Sequence, residues 1–591
     1  MQRSAQITSR SSASGRRGAV AAARRESVDA ATRMLELGGN AVDAAVAAGL
    51  VAGVVEPMET TLAGSGFMLV HVPGDEAPHS VEFAPRAPSN ATADMFQIDA
   101  SRSIDRGLGV SVVVGDENVQ GARATGIPAT IAGLIDAHER FGRLSLPTVF
   151  GPAIEAAHDG FAADAYYSLE VLANLKALRS DPGCAATFLV DGDPVAVAHL
   201  GETTLGSAPR VRQAALGRTL EVLAAQGAAA FRQGEIGDAL AETVQSLGGI
   251  LARDDLREAM TWIGKARPLA FRDQVLWGPN APCGTVTEFE ILQIWKKLYP
   301  QGGPLQDTPA RLEDLAAASW HAFADRYHWL GDTDVVSVPE AGLLSDNYAA
   351  EIAAKIRRGE SLPRPAAGEG APWEVFASRA VNDPWAHDGG APVAAWQPKG
   401  ATKPHAGTTH VSVIDADGMA VSLTHTAANH FGSKVLCERT GFLLDAAMGW
   451  FNALPNAANS IAGRKRPLAN MGPVLLTRNG EATAALGAPG GRRIIAAVVQ
   501  VALNLVERGM SATEAVAAPR IDASGPTMLA SRRLADVIAL LDSGRIPTVL
   551  VEEEHQPFGY EMARPVLVTR DAGGNIEATT DPFAKGFAVA L

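Results

Sequence analysis

The segment Gly407-Thr408-Thr409-His410-Val411-Ser412-Val413 constrains this chain more than any other. Thr409, Val411 and Val413 alternate with His410, Ser412 and Ile414, the period-2 pattern of a strand with two unlike faces. Asp415-Ala416-Asp417-Gly418 then gives a turn signal, and Met419 to Thr426 reads as the returning strand of a hairpin. A three-residue loop centred on Asp417 fixes the register and puts Thr408 opposite Thr426, so that two hydroxyls face each other across the ladder. A threonine hydroxyl is a weak nucleophile until a base takes its proton, and a free α-amino group on the same residue can be that base. Cutting the Gly407–Thr408 bond would create that amino group. An ordinary threonine-rich hairpin fits the same pattern, so the hairpin alone leaves both readings open.

A second element narrows the choice. Gly487-Ala488-Pro489-Gly490-Gly491-Arg492-Arg493-Ile494 follows an apolar, strand-like run and precedes a helix-like run from Ile494 to Leu505. A Gly-Gly pair at such a junction lets backbone N–H groups approach a ligand closely and point at a developing oxyanion. The same geometry suits a plain strand-to-helix turn or a phosphate loop. No Gly-Lys-Ser/Thr follows and no G-x-G-x-x-G is present, which weakens the nucleotide readings.

With both elements in view, the chain resembles the γ-glutamyltransferase (glutathione hydrolase) family of N-terminal nucleophile hydrolases over nearly its whole length. The resemblance is carried by Gly38-Gly39-Asn40-Ala41-Val42-Asp43-Ala44-Ala45-Val46-Ala47, by Val55-Glu56-Pro57, and by Gly64-Ser65-Gly66-Phe67-Met68-Leu69. Gly126-Ile127-Pro128-Ala129-Thr130, Ala324-Asp325-Arg326, Leu330-Gly331-Asp332 and Lys465-Arg466-Pro467-Leu468 extend it in order. It implies an α/β (α+β) fold, the αββα sandwich of N-terminal nucleophile hydrolases. It also implies self-cleavage into a large part, 1–407, and a small part, 408–591, that stay intertwined in one unit. Thr408 would be the nucleophile, Thr426 would orient its hydroxyl, and the N–H groups of Gly490 and Gly491 would form the oxyanion hole.

The positions that the family uses to hold a γ-glutamyl head group are changed. The arginine that binds the α-carboxylate aligns with Ala84 in Glu82-Phe83-Ala84-Pro85-Arg86-Ala87-Pro88, and Arg86 stands two positions on. The Ser-Ser pair before Met is Ala469-Asn470, the Asn two positions after the second threonine is Ala428, and the acidic residue after the Leu-Leu-Asn segment is Trp450. Each lost partner would leave a charged group of the substrate unpaired, at roughly 1–3 kcal/mol. The segment between Phe451 and Arg466 is shorter than in members with a lid loop, which implies a more open site. Substrate contacts are therefore expected from Asn470, Arg86 and Trp450.

The remaining features set the context. A chain of 591 residues, 47% hydrophobic and 20% charged, can bury a large core, and its net charge of −14 disfavours nucleic acid as a partner. No segment reaches about 18 uninterrupted apolar residues, so no membrane association is expected. Met1 to Arg25 is rich in Ser, Ala and Arg without a continuous apolar stretch, which gives an expectation of cytoplasmic residence. Cys184, Cys283 and Cys437 are too widely spaced for a disulfide framework or a C-x-x-C zinc pattern and read as buried or inert thiols. His405, His410, His425 and His430 cluster near Thr408 but match neither H-x-x-x-H nor a finger pattern, so no metal and no cofactor is expected. On a strand His410 shares the face of Thr408 and could border the site. Of Arg492 and Arg493, one could meet an acidic substrate group as readily as solvent.

Helices are expected from Ser27, as cap, through Leu37; over Ala41 to Val54, capped by Asn40; and over Ile131 to Arg143, Leu146 to His158, Arg210 to Gln226 and Ile236 to Leu247. Phe67 to Val72 reads as a strand. Arg364 to Ala406 is rich in Pro, Gly and Ala and reads as a loose linker ahead of the scissile bond. The combined expectation is a self-processed amidohydrolase that acts on a small-molecule amide through a threonine acyl-enzyme, with a substrate other than ordinary γ-glutamyl compounds. Two alternatives stay open: a true γ-glutamyltransferase with its pocket rebuilt from Arg86, Asn470 and neighbours, and an uncut, non-catalytic binding protein.

Overall fold

The computed structural model describes residues 12–99, 112–195, 209–360, 382–388, 407–455, 457–525, 527–541, 546–553 and 562–591. Its centre is a pair of seven-stranded antiparallel sheets packed face to face. In the first sheet the order is Phe587–Ala590, Gly18–Ala22, Thr409–Asp415, Ala420–Thr426, Ser65–His71, His79–Phe83 and Trp262–Lys265. In the second it is Ser12–Gly15, Ile576–Thr580, Val566–Arg570, Glu481–Gly487, Val474–Arg478, Gln274–Gly278 and Arg267–Phe271. Both sheets thus mix strands from before and after residue 407, and the two parts of the chain form one unit.

The alternation in the Thr408 hairpin explains its place between layers. Val411, Val413, Val421 and Leu423 face outward into a helical layer, while Ile414 and Ala420 face the second sheet. The outer layer on this side includes helices Arg25–Glu36, Ala41–Val55, Thr130–Phe141 and Leu146–Asp159. Helix Ala41–Val55 is apolar on every side and buried along its whole length, as such a sequence requires. Asn40 and Asp43 close a reciprocal cap at its start, and Asp415 of the hairpin turn accepts from the Ala41 N–H at 2.9 Å. Helices Thr285–Leu298, Pro309–Trp329 and Arg493–Val506 cover the second sheet, which completes the αββα sandwich.

Two helix starts differ from the sequence reading. The first helix begins at Arg25, and Ser27 is buried inside it rather than capping it. An ion pair of Arg24 with Asp164 anchors the chain where it leaves strand Gly18–Ala22, and the helix starts directly after it. Arg210–Val211 pairs with Phe161–Ala162 as a short strand, so the following helix begins only at Ala214. Most of the expected linker, and residues Met1 to Ser11, lie outside the described residues.

Candidate active site

The hairpin register is the one that the three-residue loop requires: Thr409 pairs with His425, His410 with Thr424 and Ile414 with Ala420. Asp415 closes the turn, accepting from the N–H groups of Asp417 and Met419 at 3.0 Å each. At the open end, Thr408 Oγ1 lies 3.3 Å from Thr426 Oγ1 and 2.8 Å from the Gly407 carbonyl oxygen. Thr426 also donates to that carbonyl and accepts from the Ala428 N–H at 2.8 Å. Gly407 is pressed against the Met58–Glu59 backbone; an added Cβ would lie 2.6 Å from Met58 O and 3.0 Å from Glu59 Cα. A side chain before Thr408 would therefore push this junction out of place.

Glu59, which sequence reasoning did not single out, holds the nitrogen of Thr408. Its Oε2 accepts from the Thr408 N–H at 3.0 Å, and its Oε1 accepts from Arg564 Nη2 at 2.8 Å and from the Tyr166 hydroxyl at 2.6 Å. Burial alone would raise the Glu59 carboxyl, but Arg564, His430 and the Tyr166 hydroxyl outweigh it and hold it below the ordinary range. Glu56, one helical turn away, goes the other way: burial pushes it up to about 8 against the pull of Arg24, and the Glu59 charge adds to the rise. Glu56 accepts from Thr409 Oγ1 at 3.3 Å. The signal available in the sequence was two acids in the stretch Val54 to Leu62, which has no other charged residue and no cation. Their partners are distant in sequence.

Gly490 and Gly491 both adopt positive φ, +148° and +61°, at the start of helix Arg493–Val506. A Cβ on Gly490 would lie 2.7 Å from Ala563 Cα, so Gly490 is glycine for space as well as for conformation. Arg564 links this loop to Glu59, the partner of the Thr408 nitrogen. Its N–H donates to Pro489 O at 3.0 Å while its guanidinium binds Glu59. Arg492 and Arg493 are half-buried beside the loop.

The positions changed from the family pattern coalesce. Ala84, Ala428, Trp450 and Ala469 form one buried apolar cluster with Phe67, Cys283 and Met471. Ala428 is two residues from Thr426 and takes φ +68°, a conformation that costs a non-glycine residue about 1–2 kcal/mol. The two polar candidates each have a partner within the chain. Asn470 Oδ1 accepts from the buried Arg326 at 2.9 Å, and Arg86 donates to Arg464 O at 3.2 Å. Beyond the wall, Lys465 Nζ donates to the Ala458 and Ser460 carbonyls at 2.8 Å.

The histidines serve the interior. His410 does share the face of Thr408, yet it lies wholly buried between the sheets, with Nδ1 2.7 Å from Thr424 Oγ1 and Nε2 3.0 Å from Ser412 Oγ. It does not border the site. Burial, and for His410 the neighbouring His425, pushes both imidazoles down to about 3. His425 Nδ1 meets Thr60 Oγ1 at 2.7 Å, and His430 Nδ1 donates to Met58 O at 2.9 Å. His405 lies outside the described residues. Among the described residues no group of three His, Cys, Asp or Glu side chains could hold a metal, and no helix is long and apolar enough to cross a membrane. The three cysteines are free and buried.

Residues 27–590 match the family model described as gamma-glutamyltranspeptidase. The chain belongs to the gamma-glutamyltranspeptidase family. The glutathione hydrolase proenzyme of Pseudomonas sp. (strain A14) is 32% identical over 82% of this chain and 78% of its own length. The Acylase ACY 1 proenzyme of Pseudomonas sp. (strain V22) is 31% identical over 89% and 86%. A solved cephalosporin acylase from Bacillus halodurans superposes with a TM-score of 0.80, at 21% identity, over 100% of this chain and 99% of its own. This member of the gamma-glutamyltranspeptidase family is thus an N-terminal nucleophile hydrolase in fold and class. Within it, the polar Thr408–Thr426 end abuts an apolar wall of Ala84, Ala428, Trp450 and Ala469.

Proposed function

We propose that the chain cuts itself between Gly407 and Thr408 and that the processed enzyme hydrolyses an amide whose acyl group lacks an amino-acid head. The observation that carries the substrate reading is the apolar cluster of Ala84, Ala428, Trp450 and Ala469 beside the Thr408–Thr426 pair. In the cut, Thr408 Oγ1 attacks the Gly407 carbonyl carbon, the Thr408 nitrogen leaves with the proton, and water cleaves the resulting ester. Thr426, which donates to the Gly407 oxygen, polarises that carbonyl. Thr408 is 3% exposed in the continuous chain, so this end must open before substrate enters.

In turnover, Thr408 Oγ1 attacks the substrate carbonyl and its own α-amino group takes the proton. Thr426 orients the hydroxyl, and the N–H groups of Gly490 and Gly491 stabilise the tetrahedral oxyanion. The amine leaves with the proton, an acyl-enzyme remains on Thr408, and water releases the acid; an acceptor amine in place of water would give transfer. A free α-ammonium would meet Trp450 and Ala428 without a counter-charge, which disfavours γ-glutamyl donors. The acylase among the relatives supports this reading, and so does the engagement of Asn470 and Arg86 with Arg326 and Arg464. A steady-state panel of γ-glutamyl anilide, glutathione, dicarboxylic monoamides and long-chain acyl amides tests it. A γ-glutamyl donor that exceeds every other amide in kcat/KM would return the site to a rebuilt γ-glutamyltransferase.

A further inference from the structure

We propose that Glu59 is the positioning residue for the Thr408 amino group: its Oε2 accepts one N–H so that the nitrogen lone pair is free to face Oγ1. This rests on the reading that Thr408 becomes an N-terminus. The cut does not change which atom sits there: the amide nitrogen now 3.0 Å from Oε2 becomes the amine nitrogen. In the continuous chain Glu59 is 1% exposed.

The two carboxylate oxygens divide the work. A bare carboxylate beside an amine would hold it as ammonium and spoil it as a base. Here Oε1 is bound by Arg564 at 2.8 Å and by the Tyr166 hydroxyl at 2.6 Å, which draws charge away from Oε2. The other ionisable groups around it are His430, whose Nδ1 lies 3.6 Å from Glu170, and Glu56 with Arg24. Glu56 is pushed up to about 8 by burial and so adds no second negative charge at neutral pH. Arg564 also donates its N–H to Pro489, so the same ion pair ties the amine to the glycine pair that faces the oxyanion.

The test is the acid limb of the kcat/KM–pH profile, where activity rises as the amine loses its proton. Glu59→Gln keeps an acceptor and removes the charge that favours ammonium, so the limb should move to lower pH by roughly one unit or more. Tyr166→Phe strips a donor from Oε1, leaves more charge facing the nitrogen, and should move the limb to higher pH. An unmoved limb in Glu59→Gln, or both variants moving the same way, overturns the assignment. If Glu59→Gln stays uncut, Tyr166→Phe decides alone: a rise supports the role and an unmoved limb ends it. Intact mass is read on every sample. An active wild-type enzyme with no fragment beginning at Thr408 refutes the nucleophile reading itself, separately from the role of Glu59.

Discussion

Two regions lie within two residues of each other, at the end of the returning strand and just past it, and have opposite characters. At Thr426 every described polar contact is matched: hydroxyl to hydroxyl, hydroxyl to the Gly407 carbonyl, and N–H of Ala428 to hydroxyl. At Ala428 the wall turns apolar, joining Ala84, Trp450 and Ala469, the wall proposed above to meet the acyl group. The contrast teaches that forming an acyl-enzyme and recognising its acyl group are separable. The first needs short, fixed distances among a few main-chain and hydroxyl groups. The second needs only a lining, which side-chain exchange alters without moving the backbone.

The hardest blow to this comparison is Thr408→Ala, which should remain a single chain of full mass and lose all measurable turnover. N-terminal sequencing and steady-state assay check it; turnover by the variant would remove the nucleophile end from the contrast. Next, Gly490→Ala puts a Cβ 2.7 Å from Ala563 Cα and should displace the oxyanion donors. Here kcat is expected to fall by about 10²–10³ with KM little changed. A variant with native kcat would show that the glycine pair serves folding alone.

The apolar side is probed by a gain. Trp450→Asp combined with Ala428→Asn should raise kcat/KM for a γ-glutamyl donor by about 10–100-fold, the worth of restoring one or two partners to a charged head group. It should lower kcat/KM for an unfunctionalised acyl amide. A fall for both substrates would show that the wall supports structure and not specificity. Thr426→Ala should cost less, about 1–2 kcal/mol in activation energy, and should slow processing as well as turnover. Gel time courses of cleavage and single-turnover rates would show whether only one step suffers.

The smallest effect concerns the hairpin's buried polar face. His410 and His425 fall from an ordinary 6.5 to about 3 in the fold, chiefly through burial. Between these limits the unfolded chain binds more protons, so their stability contribution is whole above pH 6.5 and is lost as pH falls toward 3. Melting of the uncut Thr408→Ala chain should show Tm declining through this window. The decline should be shallower with His410→Gln added, and an unchanged slope would mean that His410 is not neutral in the fold.

Much of the site was legible in the sequence because its logic is local. Alternation and a turn fix a hairpin register, which sets Thr408 opposite Thr426 whatever surrounds them. Asn40 and Asp43 are three residues apart and make their cap within one turn. The mixed strands and the family were legible for a different reason, a long ordered series of motifs. For His410 the sequence left a place at the site's border and a structural place both open, because period 2 tells which face a side chain takes but not what covers that face. The second sheet covers it, and a polar residue in that gap must bond to Thr424 and Ser412.

Sequence alone therefore determined the register of the Thr408 hairpin and the strand-to-helix turn at the glycine pair. Tertiary structure alone decided that Ala84, Ala428, Trp450 and Ala469 share one wall, and that Glu59, Arg564 and Tyr166 gather at the Thr408 nitrogen. Hydrogen bonds of a hairpin or a helix cap join neighbours in sequence, so spacing reveals them. A buried carboxylate must find its cation wherever packing of the two sheets brings one, and here that partner is 505 residues away.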